Sequence, residues 1–204
     1  MAHFILDCDD VLLDWHSGFI AFLAARDIRV DPEGPQGWDM SEWIGCSRAA
    51  ALSWIQRFNA SPYFGHLSPR LGAVEFVRDI VAAGHTASVL TCCGSRPTVK
   101  MDRTRNLSEV FGARTFTHIE MLDLSACKSG ALSEWARLPT MEPLIYVEDN
   151  FAHAQSGSLC GIKSYCLRRS HNRRDEAENP DSAVIWIDDL GEVAARHINK
   201  EAAE

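Results

Sequence analysis

The sequence predicts an α/β fold: a three-layer, Rossmann-like parallel sheet core with a small helical cap inserted after the first strand. Three observations carry this. Strand-like and helix-like segments alternate along most of the chain, the pattern of a parallel sheet covered on both faces. Residues 14 to about 70 interrupt the alternation with helical periodicity and no strand pattern. Polar residues able to do chemistry recur just after the strand-like runs, at the edge where open parallel sheets bind ligands.

In chain order, His3 to Asp7 is a short, largely apolar run and reads as a buried strand. Trp15 to Arg26 reads as a helix, with Trp15, Phe19, Phe22, Leu23 and Arg26 on roughly one face. Two prolines and two glycines between Asp31 and Gly37 make a loop. Asp39 with Glu42 three residues on predicts a capping box. Ser47 predicts the N-cap of a second helix through Leu52, Ile55 and Phe58. Ser61-Pro62 and Ser68-Pro69 then break the chain.

From Leu71 the rhythm is regular. A helix through Val74, Val77 and Val81 stops at Gly84, a good C-terminal residue. Thr86 to Thr91 reads as a strand, succeeded by a helix ending near Gly112 and a strand at Thr115 to Ile119. A helix at Ser129 to Arg137 and a strand at Leu144 to Val147 come next, and strands at Ile162 to Leu167 and Ala183 to Ile187 complete the set. The expected division is a catalytic core at 1–13 and 71–204 and a helical cap at 14–70.

Bulk properties narrow the function. A chain of 204 residues suits one domain with a modest insertion. A formal net charge of -8 argues against a nucleic-acid polymer as partner. It leaves room for a small phosphorylated substrate, because one local cationic pocket suffices. The seven cysteines are odd in number and form no CxxC pair, which fits reduced thiols in a cytoplasmic protein. No basic stretch precedes the first apolar run, and no segment approaches a membrane span, so neither a leader nor a membrane partner is expected. The basic run Arg168 to Arg174, leading into an acidic stretch from Asp175 to Asp181, reads as a solvated loop.

The residues at the end of each strand carry the chemistry. After the first strand come Asp7-Cys8-Asp9-Asp10, three carboxylates in four positions. Like charges this close raise the cost of ionising one another, so the cluster is either a solvated loop or held together by a cation. Thr91 ends the second strand, Lys128 opens a helix after the third, and Glu148-Asp149 come after the fourth. Each alone has a bland explanation. A DxD can be an ordinary acidic loop, a lone Thr or Lys is usually structural, and an acidic pair can simply favour a helix N-terminus. Their joint order is what carries the signal.

Acid, hydroxyl, cation and acid at one edge suit phosphoryl transfer. A carboxylate attacking phosphorus must approach oxygens that are already negative, and this needs a divalent cation and fixed donors. Mg²⁺ prefers such oxygens, and the expected metal set is Asp7, Asp9, Glu148 and Asp149. Lys128 can pair with phosphate or nucleophile, and the Thr91 hydroxyl can donate to phosphate. Asp9 can protonate the leaving alkoxide and then deprotonate water. Cys92, first in the loop after Thr91, and Trp15, just past the acidic stretch, are the expected substrate contacts. The other cap aromatics read mainly as packing. Cys8 should point away from its neighbouring acids, and His16, His66 and His153 lack metal spacing and read as structural.

These elements resemble the four motifs of the haloacid dehalogenase-like superfamily of phosphohydrolases. FILDCDDVLLD is similar to the first, with Asp7 at the nucleophile's position and Asp9 at the acid/base position. SVLT ending at Thr91 is similar to the second, Lys128 to the third, and VEDN with Glu148 and Asp149 to the fourth. The resemblance spans residues 3 to 167 and implies a Rossmann-like core, Mg²⁺ dependence and an aspartyl-phosphate intermediate. The branch that cleaves carbon–halogen bonds lacks the second aspartate, so Asp9 favours phosphate. The segment from Phe64 to Gly84 and the pair Asp14-Trp15 are similar to deoxyribonucleotidase-type 5'-nucleotidases, which implies nucleoside monophosphates as substrates. The loop Cys92-Cys93-Gly94-Ser95-Arg96 departs from that pattern, and Glu148-Asp149 also resembles the sugar-phosphate mutase branch. The alternatives are therefore a sugar-phosphate phosphatase or phosphomutase and, from another class, a non-catalytic binding or regulatory protein.

Overall fold

The computed structural model describes residues 1–138 and 142–198. The last six positions of the expected core, 199–204, lie outside it. Six parallel strands form one sheet in the order β3-β2-β1-β4-β5-β6. They are β1 (His3–Leu6), β2 (Thr86–Thr91), β3 (Ile119–Met121), β4 (Leu144–Glu148), β5 (Lys163–Leu167) and β6 (Ile185–Ile187). β1 sits between β2 and β4, with Phe4 opposite Ala87 on one side and Ile145 on the other. A strand so placed is buried on both faces, which is why its sequence is nearly all apolar. Phe4 and Leu6 enter one apolar layer and Ile5 the other.

The helices cover both faces. α4 (Ala73–Ala82) packs against α5 (Pro97–Phe111) and α9 (Leu190–His197), while α6 (Ser129–Arg137) packs against α7 (Phe151–Leu159). A short α8 (Arg173–Glu178) comes after β5. Gly84 ends the turn after α4 at φ 75°, a left-handed conformation that glycine adopts without strain. The inward face of α4 is Ala73, Phe76, Val77 and Ile80, whereas Val74 and Val81 from the expected stripe are exposed. Among the described residues no helix is long and apolar enough to cross a membrane.

Between β1 and α4 lie α1 (Trp15–Ala24), α2 (Ser41–Ile44) and α3 (Arg48–Asn59). Asp14 caps α1 by accepting from the Ser17 amide at 3.2 Å, and Ser47 caps α3 by accepting from the Ala50 amide at 3.3 Å. This segment leaves the sheet and returns to it at a narrow neck. The Asp14 amide donates to the Ser68 carbonyl at 2.8 Å, and the Arg70 amide donates to the Leu12 carbonyl at 2.9 Å. The Arg70 guanidinium also pairs with the Asp14 carboxylate at 3.1 Å.

Two local expectations need correction. The third strand begins at Ile119 and not at Thr115. The Thr115 hydroxyl is drawn back to the Phe111 carbonyl at the end of α5, which delays entry to this edge strand. The Asp39–Glu42 capping box does not form. Met40 is the N-cap of α2, and Asp39 accepts from the Ser41 amide and pairs with Arg48 at 2.9 Å.

Candidate active site

Parallel pairing brings the carboxyl ends of β1, β2 and β4 to one edge, and the expected residues meet there. Asp7 continues β1, its amide donating to the Val147 carbonyl at 2.9 Å. Lys128, at the start of α6, places its ammonium against the Asp7 carboxylate and 2.6 Å from Glu148 Oε2. Tyr146, two residues before Glu148 and so on the same face of β4, donates its hydroxyl to the same Oε2. Glu148 Oε1 accepts from the Asp149 and Asn150 amides at 3.3 and 3.2 Å. Both Glu148 oxygens are therefore committed, and Glu148 anchors Lys128.

Asp7, Glu148 and Asp149 are buried, and each offers a carboxylate oxygen within 4.8 Å of the others. Such a hard-oxygen set suits a divalent cation. With Glu148 engaged, Asp7 and Asp149 are the residues that would hold it. Burial, then the charge of Glu148, pushes the Asp7 pKa well up, with Lys128 opposing. Burial works against the Lys128 ammonium, yet Asp7 and Glu148 outweigh it and hold its pKa above the usual range. Asp149 would also be raised by burial, but His171, 3.2 Å from its Oδ2, holds it down.

Asp9, also expected in the metal set, lines the same cavity but lies outside this trio. Its carboxylate meets the guanidinium of Arg103, which is fully buried and lies 3.9 Å from the centre of the Phe64 ring. Burial raises the Asp9 pKa and Arg103 opposes the rise. The Nε and Nη1 of Arg103 are buried without a hydrogen-bond partner among the described residues. Asp10, next along, sits at φ 60° and accepts from the His16 amide at 3.1 Å. Burial and then Asp149 push its pKa up to about 7.

A cavity of about 800 Å³ opens over this edge. Asp7, Asp9, Thr91, Cys92, Lys128 and Asp149 line its floor, and Trp15, Trp38, Met40, Leu52 and Ile55 of the helical segment line the opposite wall. Trp15 is only 6% exposed. Its ring lies 4.7 Å from Phe19 and 5.2 Å from Phe58, and its Nε1 donates to Asn59 at 3.0 Å. Trp38 is 59% exposed, with its ring 5.3 Å from that of His171. The Cys92 thiol donates to the Ala126 carbonyl at 3.4 Å, and burial raises its pKa to about 12, so it stays neutral. Cys8 is buried in the apolar core. His16 and His153 line the cavity and His66 does not.

The solvated-loop reading of Arg168 to Arg174 is overturned in part. Arg168 faces solvent, pairing with Glu176 and Asp188 at 2.6 and 3.0 Å. Arg169, however, donates to the Asp10 carbonyl at 2.8 Å, and the Asn172 side-chain amide donates to the Asp149 carbonyl at 2.7 Å. The run succeeds β5, which pairs with β4, so it emerges at the same edge. That position is the signal the sequence offers. For Arg103 the signal is a cation on the buried stripe of α5, with Val99, Asn106 and Leu107.

No family model matches the chain, and no curated protein matches it in sequence. Solved structures do match in fold. A haloacid dehalogenase-like family hydrolase from Streptococcus pneumoniae aligns over 96% of this chain and 98% of its own, at 14% identity and a TM-score of 0.64. CbbY from Rhodobacter sphaeroides, in complex with phosphate, covers 95% and 96% at 17% identity and a TM-score of 0.58. An L-2-haloacid dehalogenase from Xanthobacter autotrophicus, with chloropropionic acid covalently bound, covers 97% and 100% at 11% identity and a TM-score of 0.58. The fold is that of the haloacid dehalogenase-like hydrolases. It is a Rossmann-like α/β sandwich carrying a buried acidic cluster at the sheet edge.

Proposed function

We propose that the chain is a Mg²⁺-dependent phosphomonoester hydrolase that works through an aspartyl-phosphate on Asp7. The observation that carries this is Asp7 held against Lys128, with Glu148 behind the lysine and Asp149 beside it, on the floor of the cavity. A carboxylate oxygen of Asp7 attacks phosphorus, and the bond from phosphorus to the leaving oxygen breaks. Asp9 gives that oxygen its proton, then takes one from the water that attacks the phosphoryl-aspartate. Phosphate leaves and Asp7 is restored. The Lys128 ammonium offsets the charge of the attacked phosphoryl group, and the Thr91 hydroxyl donates to it. A cation held by Asp7 and Asp149 would supply the remaining charge neutralisation.

Asp9 argues for phosphate over halide. An alkoxide leaving group needs a proton, whereas a halide leaves without one. A carboxyl whose pKa is raised by burial suits a proton donor. Residues 14–70 act as the cap that selects the leaving group. Its aromatic wall, in which Trp38 is the exposed ring and Trp15 the packed one, supports nucleoside monophosphates as substrates through stacking on the base.

The test is turnover of a generic aryl phosphate, then of a panel of nucleoside and sugar monophosphates, with Mg²⁺ and with chelator. Hydrolysis should need Mg²⁺ and should favour nucleotides in kcat/KM. Preference for sugar phosphates would end the nucleotide reading, and no turnover of any phosphomonoester would end the enzymatic one.

A further inference from the structure

A second concavity, of about 400 Å³, lies on the other side of α3. The two cavities share no lining residue. Three arginines from three different elements line it: Arg26 just past α1, Arg57 on α3 and Arg96 at the start of α5. Ser53 and Gln56 of α3 add neutral polar groups, and no carboxylate lines it. In a chain with 28 acidic and 20 basic residues, a concave site with three cations and no acid departs from the surrounding surface.

None of these arginines has a carboxylate partner among the described residues, although Arg48, Arg78, Arg105 and Arg168 on the same molecular surface do. Two are nonetheless held in place. Arg26 lies over the Phe22 ring at 3.6 Å and donates to the Phe22 carbonyl at 2.7 Å, and Arg57 lies over the Trp54 ring at 4.2 Å. A guanidinium stacked on a ring keeps its in-plane N–H donors free. The N-terminus of the fifteen-residue α5 also opens here, and Arg96 gives it no side-chain cap.

We infer that this concavity is a second anion site, built for a small ligand with adjacent phosphoryl groups. Three guanidinium side chains lining one concavity exceed what one monoanion needs, and guanidinium donors match phosphate oxygens in pairs. The concave shape and the net charge of -8 favour a small anion over a nucleic-acid polymer.

Isothermal calorimetry with sodium tripolyphosphate, in chelator, tests this. Wild type should show one saturable site that weakens with salt. Arg57→Gln and Arg96→Gln should each weaken it by about tenfold, the scale of one charge-assisted contact. Arg114→Gln, an exposed arginine elsewhere with the same charge change, should bind as wild type. These side chains are exposed, so the variants should fold, and far-ultraviolet circular dichroism checks that. A nucleoside triphosphate that binds more tightly than tripolyphosphate would identify a nucleotide as the source, and weaker binding would identify free polyphosphate. The inference is overturned by absence of saturable binding, or by equal loss in Arg114→Gln. Displacement by orthovanadate would place the ion in the catalytic cavity, and tighter binding of a single-stranded oligonucleotide would mean an open basic surface; either overturns it too. The experiment reads binding alone, so its failure leaves the phosphatase reading untouched.

Discussion

The two walls of the large cavity are built differently. On the sheet side Asp7, Lys128, Glu148 and Asp149 are buried charges, fixed by hydrogen bonds to one another, to Tyr146 and to His171. On the helical side Trp15 lines the cavity and rests on buried Phe19 and Phe58, with Phe22 behind them, rings that meet edge to face, tilted or stacked, with the Trp15–Asn59 bond as a polar tie. Charges in low dielectric are sensitive to the change of a single atom. Packed rings are sensitive to volume. The floor should therefore respond to isosteric substitutions in rate, and the wall to truncations in stability.

Asp7→Asn should show the largest effect. It should lower turnover by about 10⁴-fold or more, as for a lost nucleophile. The melting temperature should hold or rise, because a carboxylate crowded by Glu148 and Asp149 has been neutralised. Turnover within tenfold of wild type would break the contrast.

Asp9→Asn should cost roughly 10²–10⁴-fold on nucleoside monophosphates, and less on aryl phosphates that leave without protonation. An unchanged rate on a poor leaving group would remove Asp9 from the role. Arg103→Lys keeps a buried charge but changes the planar contact with Asp9 and Phe64, and should show the same leaving-group trend in weaker form.

On the wall the two tryptophans should separate. Trp15→Ala should cost roughly 3–5 kcal/mol of stability, measured by urea unfolding, because it empties packed volume against Phe19 and Phe58. Trp38→Ala, exposed, should leave stability within about 0.5 kcal/mol. It should raise KM for nucleotides over a small aryl phosphate by the value of one stack, roughly 1–3 kcal/mol. Equal losses on both substrates would remove Trp38 from base recognition.

The smallest effect concerns pH. Burial, then His171, lowers the His16 pKa to about 4, and its Nε2 is buried without a hydrogen-bond partner among the described residues. The unfolded chain therefore binds a proton that the folded chain refuses, and stability should fall as pH drops from about 6.5 towards 4. Denaturant midpoints in that window should flatten in His16→Asn. An unchanged slope would mean that His16 is not the titrating group.

The parts of the fold legible in the sequence are those in which burial is local. β1, β2 and β4 are apolar because neighbouring strands and helices cover them, and a central strand can hardly be written otherwise. The edge strand β3 is half-buried and tolerates threonine and glutamate around it, so the sequence does not mark where it starts. α7 has no clear sequence signal either, because FAHAQSGSL is small and polar on much of its surface. The residues at strand ends are legible because topology alone carries them to one edge. The partners of Arg103 and His171 are not, since each reaches the site only when α5 packs against α4 and the Phe64–His66 turn or the segment after β5 folds back to Asp149.

The neck at Leu12–Asp14 and Ser68–Arg70 has a consequence for engineering. Its two backbone hydrogen bonds and its ion pair close the helical segment on itself, so the sheet carries the whole of it as one long loop. Each doubling of loop length adds only about 0.6 kcal/mol of closure cost. A chimaera that keeps Asp14 and Arg70 and grafts a different insert between them should leave the register of β1 with β4, and hence Asp7 and Lys128, where they are. On the proposed function, the neck is the natural splice point for exchanging what the chain would recognise without touching how it would react.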